Sequence, residues 1–178
     1  RHGVKVIYHA NFADEEAIDL LEEHKDHVFV SPNIGFTAIA AFEGDAWFTE
    51  EQVLEMGFRD ELAGAARVVA ELKKRGVRVL GGGDYGFFVT PHGTNARDID
   101  HFIRHFHFSP MEAIESMTRF GGDAMDLPGE LGVIQEGALA DLLLVDGDPL
   151  SDPLILMEQN RLRVIMKDGD FHKVDSSS

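Results

Sequence analysis

The chain has no cysteine, one tryptophan and two tyrosines among its 178 residues. Without cysteine there is no disulfide framework and no thiol chemistry. Positive charge is also scarce. Against 32 Asp and Glu stand 16 Lys and Arg, for a net charge of −16. That balance argues against nucleic acid as a partner and favours solubility. No apolar run approaches the ~20 residues of a helical membrane span, and no signal peptide is visible. A cytoplasmic protein without a membrane partner is therefore expected. No G-x-S-x-G elbow occurs, which disfavours covalent serine hydrolysis. There is no initiating Met either, so Arg1 is not expected to be the natural start.

What is present describes a globular chain, 44% hydrophobic and 27% charged, long enough for a real core. Val4–Tyr8 (VKVIY) reads as a strand, followed by a helix over about Asp14–His24 with Ala17, Leu20, Leu21 and His24 on one face. Val28–Val30 reads as a second strand, ending at Ser31-Pro32-Asn33. Ile34–Phe48 reads as a loop, in which Trp47 and Phe48 are either part of a lid or a staple to the core. The longest helix starts at a capping box, Thr49 and Gln52, and runs without a break to Lys73-Lys74-Arg75 and Gly76. A third strand, Val77–Leu80, follows. Helices are then expected over Ala96–His105 and from Ser109-Pro110-Met111-Glu112 to about Gly121-Gly122. Beyond about Leu127 the texture becomes turn-punctuated β structure, with strands at Leu131–Ile134, Ala140–Val145 and Leu162–Met166. A boundary is expected near residues 122–130, and Ser176–Ser178 as a frayed tail.

Three strand–helix units in succession imply a parallel α/β sheet. The stretch that organises it is Val77–Gly86, VRVLGGGDYG, in which a buried strand runs into three glycines and then Asp84. A carboxylate at the C-terminal end of such a strand lies where α/β proteins keep their chemistry. Gly81, Gly83 and Gly86 also match G-x-G-x-x-G. That fingerprint requires a helix to open at once, and Phe87-Phe88-Val89-Thr90-Pro91 is no helix start. Nucleotide binding is the lesser reading.

His9 and Asp84 each follow directly on a strand and so share one sheet edge. An imidazole and a carboxylate placed there suit Zn²⁺ or a similar divalent ion. The alternative reading is a satisfied strand-end histidine and a turn cap. His92 and Asn95, in the loop after Asp84, are expected to touch substrate, as are Asn33 and Tyr85 on the same edge. His101 and His105 are spaced i, i+4, but HFIRH lacks the Glu of H-E-x-x-H. Phe102, Ile103 and Phe106 form the expected buried face, which puts both histidines toward its edges.

Taken together, these motifs resemble the C-terminal part of an amidohydrolase-superfamily enzyme, in the imidazolonepropionase-like and prolidase-like branch. VKVIYHANFADEEAIDLL resembles the sixth barrel strand, whose terminal histidine, here His9, is a metal ligand. VRVLGGGDYG resembles the eighth, whose aspartate, here Asp84, binds metal and shuttles the proton. LGVIQEGALADLLLVDGDPLSD and RLRVIMKDG resemble the small β-sandwich that closes such chains. The resemblance implies an α/β fold: residues 1–126 as about strands 6–8 of a (β/α)₈ barrel, and 127–175 as a β-sandwich segment. It implies metal-dependent hydrolysis of a C–N bond in a cyclic amide, peptide, urea or carbamate, with zinc the expected ion and a homo-oligomer the expected assembly. The turn reads Y-H-A-N where E-H-G is frequent. The superfamily's H-x-H, bridging lysine and fifth-strand histidine would all precede Arg1, so the missing N-terminal part is an expected partner. The rival expectation is a non-catalytic fragment or assembly subunit.

Overall fold

The computed structural model describes residues 3–44 and 46–175. The expected tail at 176–178 lies outside the described residues.

Strand β1 (Val6–Tyr8) leads into helix α1 (Glu15–Glu23), whose start is fixed by Asp14 accepting a hydrogen bond from the Ala17 N–H. Strand β2 (Phe29–Ser31) is buried throughout, as the centre of a sheet requires. Helix α2 (Gly35–Phe42) follows, where the sequence had suggested a loop. Its residues GFTAIAAF carry no charge, and nearly all are buried. A short helix that is apolar all round shows no amphipathic period, so pattern reading misses it. The capping box of Thr49 and Gln52 forms as expected and opens α3 (Glu50–Glu55). The long helix is nevertheless broken. Gly57 takes φ 69°, and α4 (Phe58–Lys74) starts afresh behind it.

Strand β3 (Arg78–Val79) completes a parallel sheet of order β1-β2-β3, with Tyr8 beside Ser31 and Val30 beside Val79. Val28, Val30, Val77 and Val79 pack against Ile18 and Leu21 of α1 and Leu62, Val69 and Leu72 of α4. Helix α5 (Arg97–Phe106) adds Ile99, Phe102 and Phe106 to the same core. Ser109 and Glu112 form the second expected capping box, on α6 (Pro110–Met117). The helix expected to reach the Gly121-Gly122 pair stops short, and a separate α7 (Arg119–Ala124) carries both glycines.

Leu131–Ile134 is no strand. It runs alongside α7 so closely that a Cβ on Gly132 would lie 2.3 Å from the Thr118 carbonyl oxygen. Strands β4 (Leu142–Val145) and β5 (Leu162–Lys167) pair antiparallel, and β5 continues into an unanticipated β6 (Asp170–Val174). Asp168 and Gly169 turn the chain between them with φ 53° and 84°. Two successive positive φ values match the twist of a tight hairpin. A 3₁₀ turn, Pro153–Met157, reaches back to the first sheet's core and buries Ile155 near α5. Among the described residues no helix is long and apolar enough to cross a membrane.

Candidate active site

A left-handed residue lies beyond each of the three parallel strands, directly after β1, two residues after β2 and five residues after β3. His9 follows β1 at φ 56°, Asn33 follows β2 at φ 52°, and Asp84 closes the loop after β3 at φ 52°. L-residues avoid this region, and Asn, Asp and His are the types that tolerate it best. Each such turn lifts a polar side chain off its strand end and aims it across the edge. The ladder continues just far enough to hold them. The His9 N–H donates to the Ser31 carbonyl at 3.0 Å, and the Leu80 N–H to the Val30 carbonyl at 2.8 Å.

The three side chains meet. His9 Nε2 lies 3.1 Å from Asp84 Oδ2. Asn33 Nδ2 donates to Asp84 Oδ1 at 3.1 Å and lies 3.5 Å from His9 Nε2. Asn33 is itself oriented by the Ser31 hydroxyl, which donates to its Oδ1. Asn33 is buried, whereas His9 and Asp84 stay 49% and 38% exposed at their side chains, open to an incoming ligand. Gly82 makes the close approach possible, because a Cβ there would sit 2.8 Å from the Ser31 hydroxyl.

A groove of about 400 Å³ opens over this edge, lined by Tyr8, Asn33, Asp84, Tyr85, His92 and Asn95 among others. The loop after Asp84 folds back on itself. Thr90 donates its hydroxyl to the Asp84 carbonyl at 2.8 Å, and the Gly86 N–H donates to the Thr90 carbonyl at 2.7 Å. This return brings His92 over Gly86 and Asn95 to the rim. The glycine run faces no helix N-terminus within its own loop, since the next helix begins only at Arg97. Tyr85 lines the groove, but its hydroxyl points inward and donates to Asp98 Oδ1 at 2.8 Å. Burial, then the Asp98 charge and that hydrogen bond, push the Tyr85 hydroxyl well above the usual phenol range.

One expectation needs correction. His101 is not at the edge of α5 but fully buried, beside an equally buried Asp98. The helix turns its Asp98–His101–Phe102 side inward, where Asp98 accepts a hydrogen bond from the Tyr85 hydroxyl. His105 is half-buried and stacks on Phe42 at 5.7 Å. Phe48 packs edge-on with Phe36 and Phe58 in a second small core, while Trp47 stays half-exposed against Phe88.

The donor set at the strand ends fits part of a divalent site. Two donors each ~2.1 Å from one ion stand a little over 3 Å apart, which the His9–Asp84 separation of 3.1 Å allows. Among the described residues no group of three or more His, Asp or Glu side chains is placed to hold an ion. As metal ligands the pair would be an incomplete set, and further ligands would have to come from elsewhere. The sequence reading missed the Ser31–Asn33 bracket and buried Asp98. S-P-N directly after a strand was the available signal for the first. An acid in the first turn of a helix looks the same whether buried or exposed, so the second had none.

Known proteins share this arrangement of elements. Ochratoxinase from Aspergillus niger is 25% identical over 175 residues, which is 96% of this chain and 34% of its own length. A solved prolidase complexed with N-methylphosphonate-L-proline superposes with a TM-score of 0.79 at 26% identity, covering 97% of this chain and 41% of that one. A Xaa-Pro dipeptidase with bound methionine in its active site gives a TM-score of 0.75 at 29% identity, covering 96% of this chain and 40% of the dipeptidase. The chain therefore spans about a third of the length of its curated relative and about two-fifths of these structures. Residues 1–172, from the first strand through most of β6, match the Amidohydrolase family. With histidine and aspartate meeting at the ends of parallel strands, the chain belongs to the amidohydrolase family.

Proposed function

We propose that the chain supplies the C-terminal catalytic edge of a metal-dependent hydrolase of C–N bonds. In this reading residues 1–126 form about strands 6–8 of a (β/α)₈ barrel and residues 127–175 a β-sandwich segment, with the rest of the barrel contributed from outside the chain. The observation that carries it is the 3.1 Å approach of His9 Nε2 and Asp84 Oδ2 across the ends of two parallel strands. The names of the similar proteins, a prolidase and a Xaa-Pro dipeptidase, favour a peptide or a related amide as substrate.

A divalent ion, zinc by its donor set, would supply Lewis acidity and a water of lowered pKa. The chain's own residues do the rest. His9 and Asp84 would hold the ion. The Asp84 carboxylate takes the proton of the attacking water and returns it to the leaving nitrogen. Asn33 donates to Oδ1 of the same carboxylate and so fixes its orientation. His92 and Asn95, with Tyr85, shape the groove in which the scissile bond lies.

Two variants of the complete enzyme test this. Asp84→Asn keeps the shape and the left-handed turn but removes the proton acceptor. Turnover should fall by at least ~10²–10⁴-fold, and added metal should not restore it. His9→Ala should first lose metal, so that excess ion recovers part of the activity. Near wild-type turnover in Asp84→Asn would refute the mechanism.

A further inference from the structure

Behind the groove lies a carboxylate that the proposed reaction does not use. Asp98 is 1% exposed, and so is His101 one turn along α5. Asp98 Oδ1 accepts the Tyr85 hydroxyl, whereas Oδ2 has no hydrogen-bond partner among the described residues. His101 Nδ1 stands 3.5 Å from Oδ1, too poorly placed to donate, and neither ring nitrogen has a hydrogen-bond partner among the described residues. A buried carboxylate with a single neutral donor is costly, and an apolar residue of similar size would ordinarily serve the core better.

The surroundings are built tightly around it. A Cβ on Gly83 would lie 2.5 Å from Asp98 Oδ1 and 2.5 Å from Tyr85 Cε2. A Cβ on Gly35 would lie 2.9 Å from the same oxygen and 2.7 Å from Gly83 Cα. The Phe36 N–H then donates to the Gly83 carbonyl at 3.0 Å. Glycines on both sides thus let the first turn of α2 and the loop after β3 close around one carboxylate.

We infer that Asp98 is a positioning residue that sets the aim of Asp84 through Tyr85; the inference rests on the catalytic role proposed above for Asp84. The link is short and mechanical. Asp84 is left-handed and has Thr90 on its carbonyl. The next residue, Tyr85, is pinned at its far end by Asp98. With its carbonyl held by Thr90 and the following ring held by Asp98, the Asp84 backbone cannot rotate its carboxylate away from His9 and Asn33. A helix-dipole role would not require this burial, because an exposed carboxylate in the first turn interacts with the dipole equally well.

The test compares Tyr85→Phe, Asp98→Ala, Asp98→Asn and the Tyr85→Phe/Asp98→Ala pair in the complete enzyme. Misplacing a catalytic group by about 1 Å costs up to about 10²-fold. Tyr85→Phe and Asp98→Ala should each lower kcat by about 10- to 100-fold, with KM within about twofold. The double variant should be no worse than either single one, because both remove the same link. Asp98→Asn keeps an oxygen that accepts from the hydroxyl and should recover most of kcat. Amide exchange between Gly82 and Gly86, measured after chelation, should rise in Tyr85→Phe while α4 stays protected. Unchanged exchange or unchanged kcat in Tyr85→Phe overturns the proposal, as does an Asp98→Asn variant no better than Asp98→Ala. Exchange decides the tether even if the wild-type enzyme cleaves no C–N bond, an outcome that would instead remove the proposed function.

Discussion

His105 shows how one side chain couples this fold to pH. Burial first, then the neighbouring His101 and Arg104, lower its pKa, with Asp100 acting weakly against them. The unfolded chain takes up that proton near its ordinary pKa of about 6.5, the folded chain only at lower pH. The unfolded state therefore binds more protons in the window just below about 6.5, and stability falls as pH falls through it. His105→Phe keeps the stacking on Phe42 and removes the titration. Denaturant midpoints at about pH 7.5 and about pH 5.5 should drop less in this variant than in wild type; equal drops would show that His105 carries no such coupling. At this scale the sequence was legible where a residue type and its strand-end position coincide, as for His9 and Asp84. It was silent on Asp98 and misplaced His101, because their burial depends on a loop that folds back from outside their own helix.

Elements were legible in proportion to how local their causes are. Thr49 with Gln52 and Ser109 with Glu112 are reciprocal caps within four residues, and both form. Helix α2 escaped because it is apolar on every side. The break at Gly57 escaped because a glycine inside an amphipathic run reads the same whether the helix continues or restarts. That break gives a clean measurement. A Cβ on Gly57 would meet nothing within 4 Å among the described residues, so its φ of 69° is what opposes a side chain. Gly57→Ala should lower stability by ~1–2 kcal/mol through the left-handed backbone alone, read from the denaturant midpoint. A neutral or stabilising result would mean that α3 and α4 can join into one continuous helix.

For the whole molecule, apolar surface rather than charge limits solution behaviour. Leu143, Leu144 and Phe171 of the second sheet are exposed, as are Val4, Tyr8 and Phe12 around the first strand, and Ile134 is 92% exposed. Large apolar side chains exposed in such number favour association. Despite a net charge of −16, the isolated 178-residue chain should bind a hydrophobic dye and associate with rising concentration. A dye-silent, monodisperse solution would contradict this. The two ends of the parallel sheet also differ in kind. At the end opposite the groove, Lys5 pairs with Asp126, and Arg78 pairs with Asp123 at 3.5 Å while lying over the Phe29 ring. At the groove end stand the three left-handed polar residues. Adaptation can therefore act on the two ends separately. Changes at the ion-paired end would alter persistence and leave chemistry alone. At the groove end, each left-handed position accepts only a small alphabet of residues. New specificity would then have to arise in the loops between these positions, with the positions themselves held fixed.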